Sequence, residues 1–409
     1  MKLNSVSLLL LYGCCCSAFT ATTQTIPQTT TSSTQLWGTS TSSTNKNARR
    51  TGLGQSLLNF ALNSPLWTYV LVPQARQKMV DTAASNGIPW EDCKQWMMHQ
   101  MKGNVTTPTP YSNAPPSYYQ QPFHAYPDGN LCWDAAYEAE IASAAVGARN
   151  FPDYGREGET AFRNAFSACL DELGATVPEK AVIVDLGCST GLSTRRLGEQ
   201  YPQASNIIGL DLSPYFVKVA QRLMELAPIP SILQKEEGWI NVVQPDARID
   251  FRVGAAEDTK LPDNSVDVVN LQFVAHELPL ATTLAILKES HRILKPGGQL
   301  WFCEMDFETP GYAAQRSNPL LFSLIRSTEP YLDEYAEHAE DIRSELRKWF
   351  HTTRMGAATG RHFAVVAVKN DSSSDDDEES SHTFHDLRWD SDGNYAVDDT
   401  HLKVWENKK

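Results

Sequence analysis

VIVDLGCSTGLSTRRLGEQYPQASNIIGLDLS, residues 182–213, is the stretch whose reading decides the fold. It opens with a short β-branched run ending at Asp185, breaks at a turn of small residues from Gly187 to Gly191, and continues with helical spacing before a second apolar run ends at Asp211. That order predicts a strand, a tight turn, a helix and a parallel strand. Glycines in the turn let backbone N–H groups approach a ligand, and the helix after it begins with unpaired donors and the positive end of its dipole. Asp211 and Leu212 stand at the tip of the neighbouring strand, where a carboxylate can accept both hydroxyls of a ribose. The expectation is a nucleoside-bearing cofactor. A dinucleotide fingerprint in this register needs glycine at 187, 189 and 192, and Ser189 and Leu192 break it.

The run Asp185-Leu-Gly187-Cys188-Ser189-Thr-Gly191 resembles the first motif of class I S-adenosylmethionine-dependent methyltransferases, commonly D-x-G-C-G-T-G, with Ser189 replacing one glycine. Three further signals follow in the order of that family. After a predicted third strand, Ile249 to Val253, the segment from Gly254 to Ser265 is similar to the family's G-D-A-E-D-L-P-F-P-D loop, which lies against the adenine. Ala255 stands where many members carry an aspartate that receives the adenine amino group, so the resemblance leaves that contact to Glu257, to Asp258 or to the backbone at Ala256. A fourth strand, Val266 to Leu271, brings Asn270, Gln272 and His276 to the carboxyl edge of the sheet, where open α/β folds bind ligands. Lys295-Pro-Gly-Gly298 before an apolar fifth strand, Gln299 to Met305, and a closing hairpin from Thr352 to Val368 with its turn at Gly356 to Gly360 complete the pattern.

The resemblance covers Ala181 to Lys369 and implies an α/β fold, a Rossmann-like doubly wound sheet of seven strands with a closing antiparallel hairpin, preceded by an N-terminal helical cap. It implies S-adenosyl-L-methionine as cofactor, held by Asp185, Gly187, Cys188, Ser189, Gly191, Asp211, Leu212, Ala256 and Glu257, with Asn270 and Gln272 at the amino-acid end. Within the superfamily the cleft loops look like the type 11 branch that contains ubiquinone and menaquinone C-methyltransferases. The cap motif His124-Ala-Tyr126-x-x-Gly129-Asn-Leu-x-Trp133 resembles plastid members of plants and algae. Such an enzyme transfers a methyl group to a small, partly apolar acceptor, a quinol, phenol or related metabolite. Two other readings stay open: a noncatalytic S-adenosylmethionine-binding protein, and a nicotinamide-dependent oxidoreductase.

Composition bounds the partners. The net charge is −14, and Asp and Glu are absent before Asp81, so the body is strongly acidic and unsuited to nucleic acid or an anionic membrane face. Residues 1–19, with Lys2, an apolar run from Val6 to Tyr12 and small residues after it, have the layout of a signal peptide, too short to span a bilayer. Residues 20–50 are Ser/Thr-rich, acid-free and end in Arg49-Arg50, a transit-like composition that does not fold. The two together resemble the bipartite plastid presequences of algae with secondary plastids; secretion is the alternative. Beyond the leader, Cys93, Cys132, Cys169, Cys188 and Cys303 are scattered without a CxxC pair, which suggests neither disulfides nor a metal site and fits a reducing stroma.

Residues 51–175 are read as the cap, with short helices interrupted at Pro65, Pro73 and Pro89, an irregular Pro/Tyr-rich segment from Val105 to Asp128, and helices at Ala135 to Arg149 and Glu159 to Leu173. The methyltransferase domain spans 176–370, with an insertion from Pro228 to Arg248 and a helical stretch from Pro319 to Phe350 broken at Pro330. An acidic segment, 371–381, and an extension, 382–409, follow. Methyl transfer needs alignment and exclusion of water more than acid–base machinery. Where a proton must leave the acceptor, the catalytic candidates are His276, whose imidazole titrates near neutrality, and Tyr118 and Tyr119 of the cap.

Overall fold

The structure is a computed structural model and describes residues 65–103, 115–232, 238–316, 328–370 and 382–397, all within the compact unit Gly54–Lys409. The expected signal and transit segments, the acidic segment 371–381 and the apolar positions Leu402, Val404 and Trp405 lie outside the described residues.

One sheet organises the molecule. Its strands are β1 (Val182–Leu186), β2 (Asn206–Asp211), β3 (Ile249–Val253), β4 (Val266–Gln272), β5 (Leu294–Met305), β6 (Thr352–Thr359), β7 (His362–Val368) and β8 (Thr383–Asp386). The order across the sheet is β3-β2-β1-β4-β5-β7-β6-β8. The first five are parallel and β7 runs antiparallel between β5 and β6, so the expected seven-stranded arrangement is present. The reversal of order at β1 opens the crevice in which such sheets bind ligands. Ile183, Val184, Leu186, Val268, Val269 and Leu271 are fully buried on the two faces, the pattern of strands covered by helices on both sides.

Crossover helices α5 (Leu192–Gln200), α6 (Pro214–Leu226) and α7 (Leu280–Ile293) follow β1, β2 and β4. Ser213 caps α6 by accepting the N–H of Phe216, and Pro214 fills its first position, as the sequence signals. The insertion after α6 carries no regular element in its described part. It is tied by bridges between Ile229 and Val243 and between Ser231 and Trp239.

The cap is built on α3 (Trp133–Asn150), against which α1 (Pro65–Ser85), α2 (Trp90–Met101) and α4 (Gly158–Glu172) pack. Two buried glutamates on α3 do the joining. Glu138 accepts from Arg76, Lys94 and Tyr126, uniting α1, α2 and the loop before α3. Glu140 accepts from Arg195 at 2.6 Å, Trp239 Nε1 at 2.6 Å and Asn241 at 3.2 Å, which fastens the cap to α5 and to the insertion. Each carboxylate is buried with several donors and a cation, the condition under which a buried charge is tolerated. Gly147 of α3 and Gly158 of α4 allow the helices to touch, since a Cβ on Gly147 would sit 2.2 Å from Glu159 Cα.

Some elements depart from the sequence reading. Helix α1 continues through Pro73, since a proline forfeits one hydrogen bond and the turns beyond it are held by Arg76 on Glu138. Only one short 3₁₀ turn, Ser117–Gln120, forms in the described part of the Pro/Tyr-rich segment. The helical stretch near the end of the domain is divided: beside α8 (Pro310–Arg316), α9 (Leu332–Glu337) and α10 (Ala339–Trp349) are separated at His338. Strand β6 runs on through Gly356, and the turn falls at Gly360-Arg361. Gly356 is there because α4 packs close: a Cβ would meet Cys169 Sγ at 3.1 Å and Leu173 at 3.2 Å.

The C-terminal extension adds β8, parallel to β6. Arg388, only 2% exposed, anchors it on Asp306 at 2.9 Å, Glu308 at 2.8 Å and Asp386 at 2.6 Å, and Tyr395 donates to the same Asp306. No helix among the described residues is long and apolar enough to cross a membrane. Arg388→Met leaves Asp306, 2% exposed, without its cation, and chemical denaturation is expected to show a loss of about 3 kcal/mol.

Candidate functional site

The loop Gly187–Gly191 between β1 and α5 is fixed from below. Asp185 is 1% exposed and accepts from Ser193 Oγ at 2.6 Å, Thr194 Oγ1 at 2.6 Å and Asn270 Nδ2 at 2.7 Å. Asn270 in turn accepts from Gln272, whose oxygen takes a 2.8 Å hydrogen bond from Arg163 of α4. One polar chain therefore binds β1, β4, α5 and α4 under the loop. Asp185 and Asn270 act from beneath it, and Gln272 has both its oxygen and its nitrogen engaged there. The expected direct contacts of Asp185 and Asn270 with a cofactor do not fit this burial.

The loop alternates left-handed residues: Gly187 at φ 70°, Ser189 at φ 51° and Gly191 at φ 88°. A Cβ at Gly187 would lie 2.5 Å from Val274, and one at Gly191 2.3 Å from the Phe251 ring, so both positions require glycine. Ser189 holds the same conformation with a side chain, at a cost on the order of 1 kcal/mol. Cys188 turns its side chain inward against Val217, Ala220 and Phe251, and its N–H is spent on Leu210 O. It shapes the loop and presents nothing to a ligand.

Asp211 ends β2 facing this loop. Its carboxylate accepts the Ser189 N–H at 2.8 Å and the Ser213 N–H at 2.7 Å, which fixes the orientation of both oxygens. Burial pushes its pKa up to about 6, partly offset by those two donors. No cation among the described residues neutralises it, so neutral hydroxyls are the partners its remaining lone pairs suit. Leu212, half-buried, follows. Beyond β3, Ala256 and Glu257 lie half-exposed in a tight turn in which the Asp258 N–H donates to Ala255 O.

The two carboxylates are covered by the cap. Tyr119 donates to Asp211 at 3.4 Å and Tyr118 to Glu257 at 2.5 Å, both from the 3₁₀ turn Ser117–Gln120. Asp211 is left 6% exposed. The two tyrosines thus place hydroxyls where a nucleoside would place its own, and that fit of hydroxyl to carboxylate is what a ribose requires. Their described hydrogen bonds run to the nucleoside side of the cleft and not to His276.

His276 lies on the other side, in the 3₁₀ turn Ala275–Glu277 after β4. Its Nδ1 is 2.8 and 3.0 Å from the two oxygens of Glu304, which is fully buried near the end of β5. Burial opposes a charge on the ring, but Glu304, Glu329 and Glu277 outweigh it and push the imidazole up to about 10. His276 therefore already carries its proton at neutral pH, and the expected general base is a hydrogen-bond donor in this arrangement. Glu277 stands 4.0 Å from His276 Nε2 and 4.0 Å from Nε2 of His124 in the cap. The sequence reading had not brought Glu277, Glu329 and Arg163 into the site; a carboxylate directly after a strand-tip histidine was the available signal for the first.

Comparison with known proteins places this sheet and loop within a recognised domain. Residues 184–302 match a family model described as a methyltransferase domain. A demethylmenaquinone methyltransferase of Bacillus licheniformis is 31% identical over 124 residues, 30% of this chain and 44% of the relative. A ubiquinone biosynthesis O-methyltransferase of Xanthomonas oryzae is 28% identical over 223 residues, 50% of this chain and 80% of the relative. A 2-methyl-6-phytyl-1,4-hydroquinone methyltransferase of Synechocystis is 33% identical over 125 residues, 31% of this chain and 32% of the relative. The chain spans less than half the length of the demethylmenaquinone methyltransferases it matches.

Two outcomes follow from the Asp211 geometry. Tyr119→Phe removes a competing hydroxyl and is expected to tighten S-adenosylmethionine binding roughly two- to tenfold by calorimetry, the worth of one hydrogen bond. Asp211 must be ionised to accept two hydroxyls, so affinity is expected to hold above pH 7 and weaken as pH falls through about 6. Asp211→Asn removes that pH dependence.

Proposed function

We propose that the chain, whose residues 184–302 are a class I S-adenosylmethionine-dependent methyltransferase domain, methylates a small, partly apolar acceptor bearing an acidic hydroxyl, a quinol or phenol. The observation that carries this reading is the protonated His276–Glu304 pair at the tips of β4 and β5, next to the loop that Asp211 anchors. When bound, S-adenosylmethionine supplies a methyl group already activated on a sulfonium. The protein has to orient an acceptor, stabilise the charge that develops on it and keep water out.

Each part of the cleft has a share in that. Asp211, oriented by Ser189 and Ser213, takes the ribose hydroxyls, and Ala256 and Glu257 border the adenine. His276 donates from Nε2 to the acceptor oxygen, and Glu304 holds the ring in position and charged. Phe307, Tyr312 and Tyr335 pack near the end of β5, with the Tyr335 ring edge-on to His276, and supply an apolar wall. The cap turn with Tyr118 and Tyr119 closes the cleft. The names of the relatives from Bacillus licheniformis and Synechocystis support a quinol-type acceptor. The acid-free leader supports delivery to a plastid.

The test is methyl transfer from labelled S-adenosylmethionine to 2-methylhydroquinone and 1,4-naphthohydroquinone. His276→Asn is expected to lower kcat about 100-fold, the usual worth of one donor to a developing oxyanion. Undiminished turnover would remove His276 from the reaction. Glu304→Gln is expected to bring the His276 pKa down from about 10, read by histidine ring resonances, since the loss of a carboxylate partner removes what holds the proton.

A further inference from the structure

Methylation of a hydroxylated acceptor releases a proton, and the residue that takes it is the next question. His276 is already protonated and its Nδ1 is committed to Glu304. Tyr118 and Tyr119 give their hydroxyl protons to Glu257 and Asp211. Glu304 is fully buried behind the imidazole.

Glu277 is placed differently. It ends the 3₁₀ turn after β4, at the carboxyl edge of the sheet, and its side chain is 24% exposed while that of His276 is 8% exposed. Its Oε1 is 4.0 Å from Nε2 of both His276 and His124, near enough for charge to be felt and too far for a hydrogen bond. The carboxylate is therefore not used up by either ring. The charged groups facing it are His276 on its own turn, Glu304 of β5, Glu329 before α9, Asp211 of β2 and His124 of the cap. Glu277 thus lies between the anchor of the ribose and the imidazole that meets the acceptor. Burial pushes its proton affinity up to about 8, against the pull of the His276 cation and with the push of Glu329, Glu304 and Asp211. A catalytic base works best with its pKa close to the working pH.

We propose that Glu277 is the catalytic base of the methyl transfer proposed above, receiving the acceptor's hydroxyl proton and releasing it to solvent. The inference rests on that reaction. As the acceptor O–H bond breaks, its proton goes to the Glu277 carboxylate. The electron pair left on the acceptor forms the new bond to the methyl carbon, and the pair of the broken carbon–sulfur bond stays on sulfur. Glu277 is then a neutral acid. The carboxylic acid, 24% exposed, then gives that proton to solvent and the carboxylate is restored.

The experiment is the pH profile of kcat with 2-methylhydroquinone and 1,4-naphthohydroquinone in wild type, Glu277→Gln and Glu277→Asp, with calorimetric S-adenosylmethionine binding on the same preparations. In the wild type kcat is expected to rise with pH through a midpoint near 8 and level off above it, because the base must be ionised. Glu277→Gln is expected to lose roughly 100-fold in kcat and that rise, with KM and cofactor affinity within about twofold. Glu277→Asp, still a carboxylate, is expected to recover part of the rate and the rise with pH. Transfer by Glu277→Gln at the wild-type rate and with the wild-type profile overturns the base assignment and leaves the proposed function standing. Cofactor binding without transfer to either hydroquinone by the wild type overturns the proposed acceptor class and the base with it.

Discussion

The shape of the cleft depends on one buried carboxylate whose partners are the protein's own donors. Asp185 takes three neutral donors, from Ser193 and Thr194 at the start of α5 and from Asn270 on β4. A buried anion without a cation is stable only when hydrogen bonds replace its hydration, and here they come from elements that must meet at one point. The result is a fixed distance between the tip of β1, the first turn of α5 and the strand that carries the acceptor side. The left-handed alternation of Gly187, Ser189 and Gly191 follows, because the chain has to leave β1 and enter α5 within five residues. The Ser189 N–H then points at Asp211. Support and exposure to the cleft are thereby separated: Asp185 sets the geometry, and Asp211 is the carboxylate to which the proposed function assigns the ribose.

The same separation runs through the rest of the molecule. Glu138 and Glu140, two residues apart and so on opposite sides of α3, gather cations and donors from the cap, α5 and the insertion. Glu304 stands behind His276 as Asp185 stands behind the loop. Buried carboxylates fix the frame, and half-exposed ones, Glu257 and Glu277, border the cleft. The cap belongs to the site because its tyrosines reach the carboxylates a nucleoside would use.

Most of the sheet was legible in the sequence, since β1 to β4 are short apolar runs rich in Val and Ile, β5 ends in an apolar run after Gly298, and their order follows from parallel crossovers. The closing hairpin was legible too, but its turn was not: Gly356 looked like a turn residue and proved to be a packing contact for α4. The place of Asp211 opposite the loop could be picked out because it depends only on the end of a strand. Asp185, Cys188 and Asn270 could not be told from ligand contacts, since burial is set by neighbours distant in sequence. The charge on His276 was likewise hidden, because two of the three glutamates that hold its proton, Glu304 and Glu329, come from separate segments. Strand β8 was missed for want of length: four residues pair only because Arg388 holds them.

The central claim is that the loop and Asp211 form a site for S-adenosylmethionine. It is tested most directly by calorimetric titration of the protein with S-adenosylmethionine and, separately, with NADH, in the wild type and in Asp211→Ala. The account predicts binding of S-adenosylmethionine by the wild type, its loss or severe weakening in Asp211→Ala, and no binding of NADH. Binding of NADH in preference to the methyl donor, or S-adenosylmethionine affinity unchanged in Asp211→Ala, would contradict it.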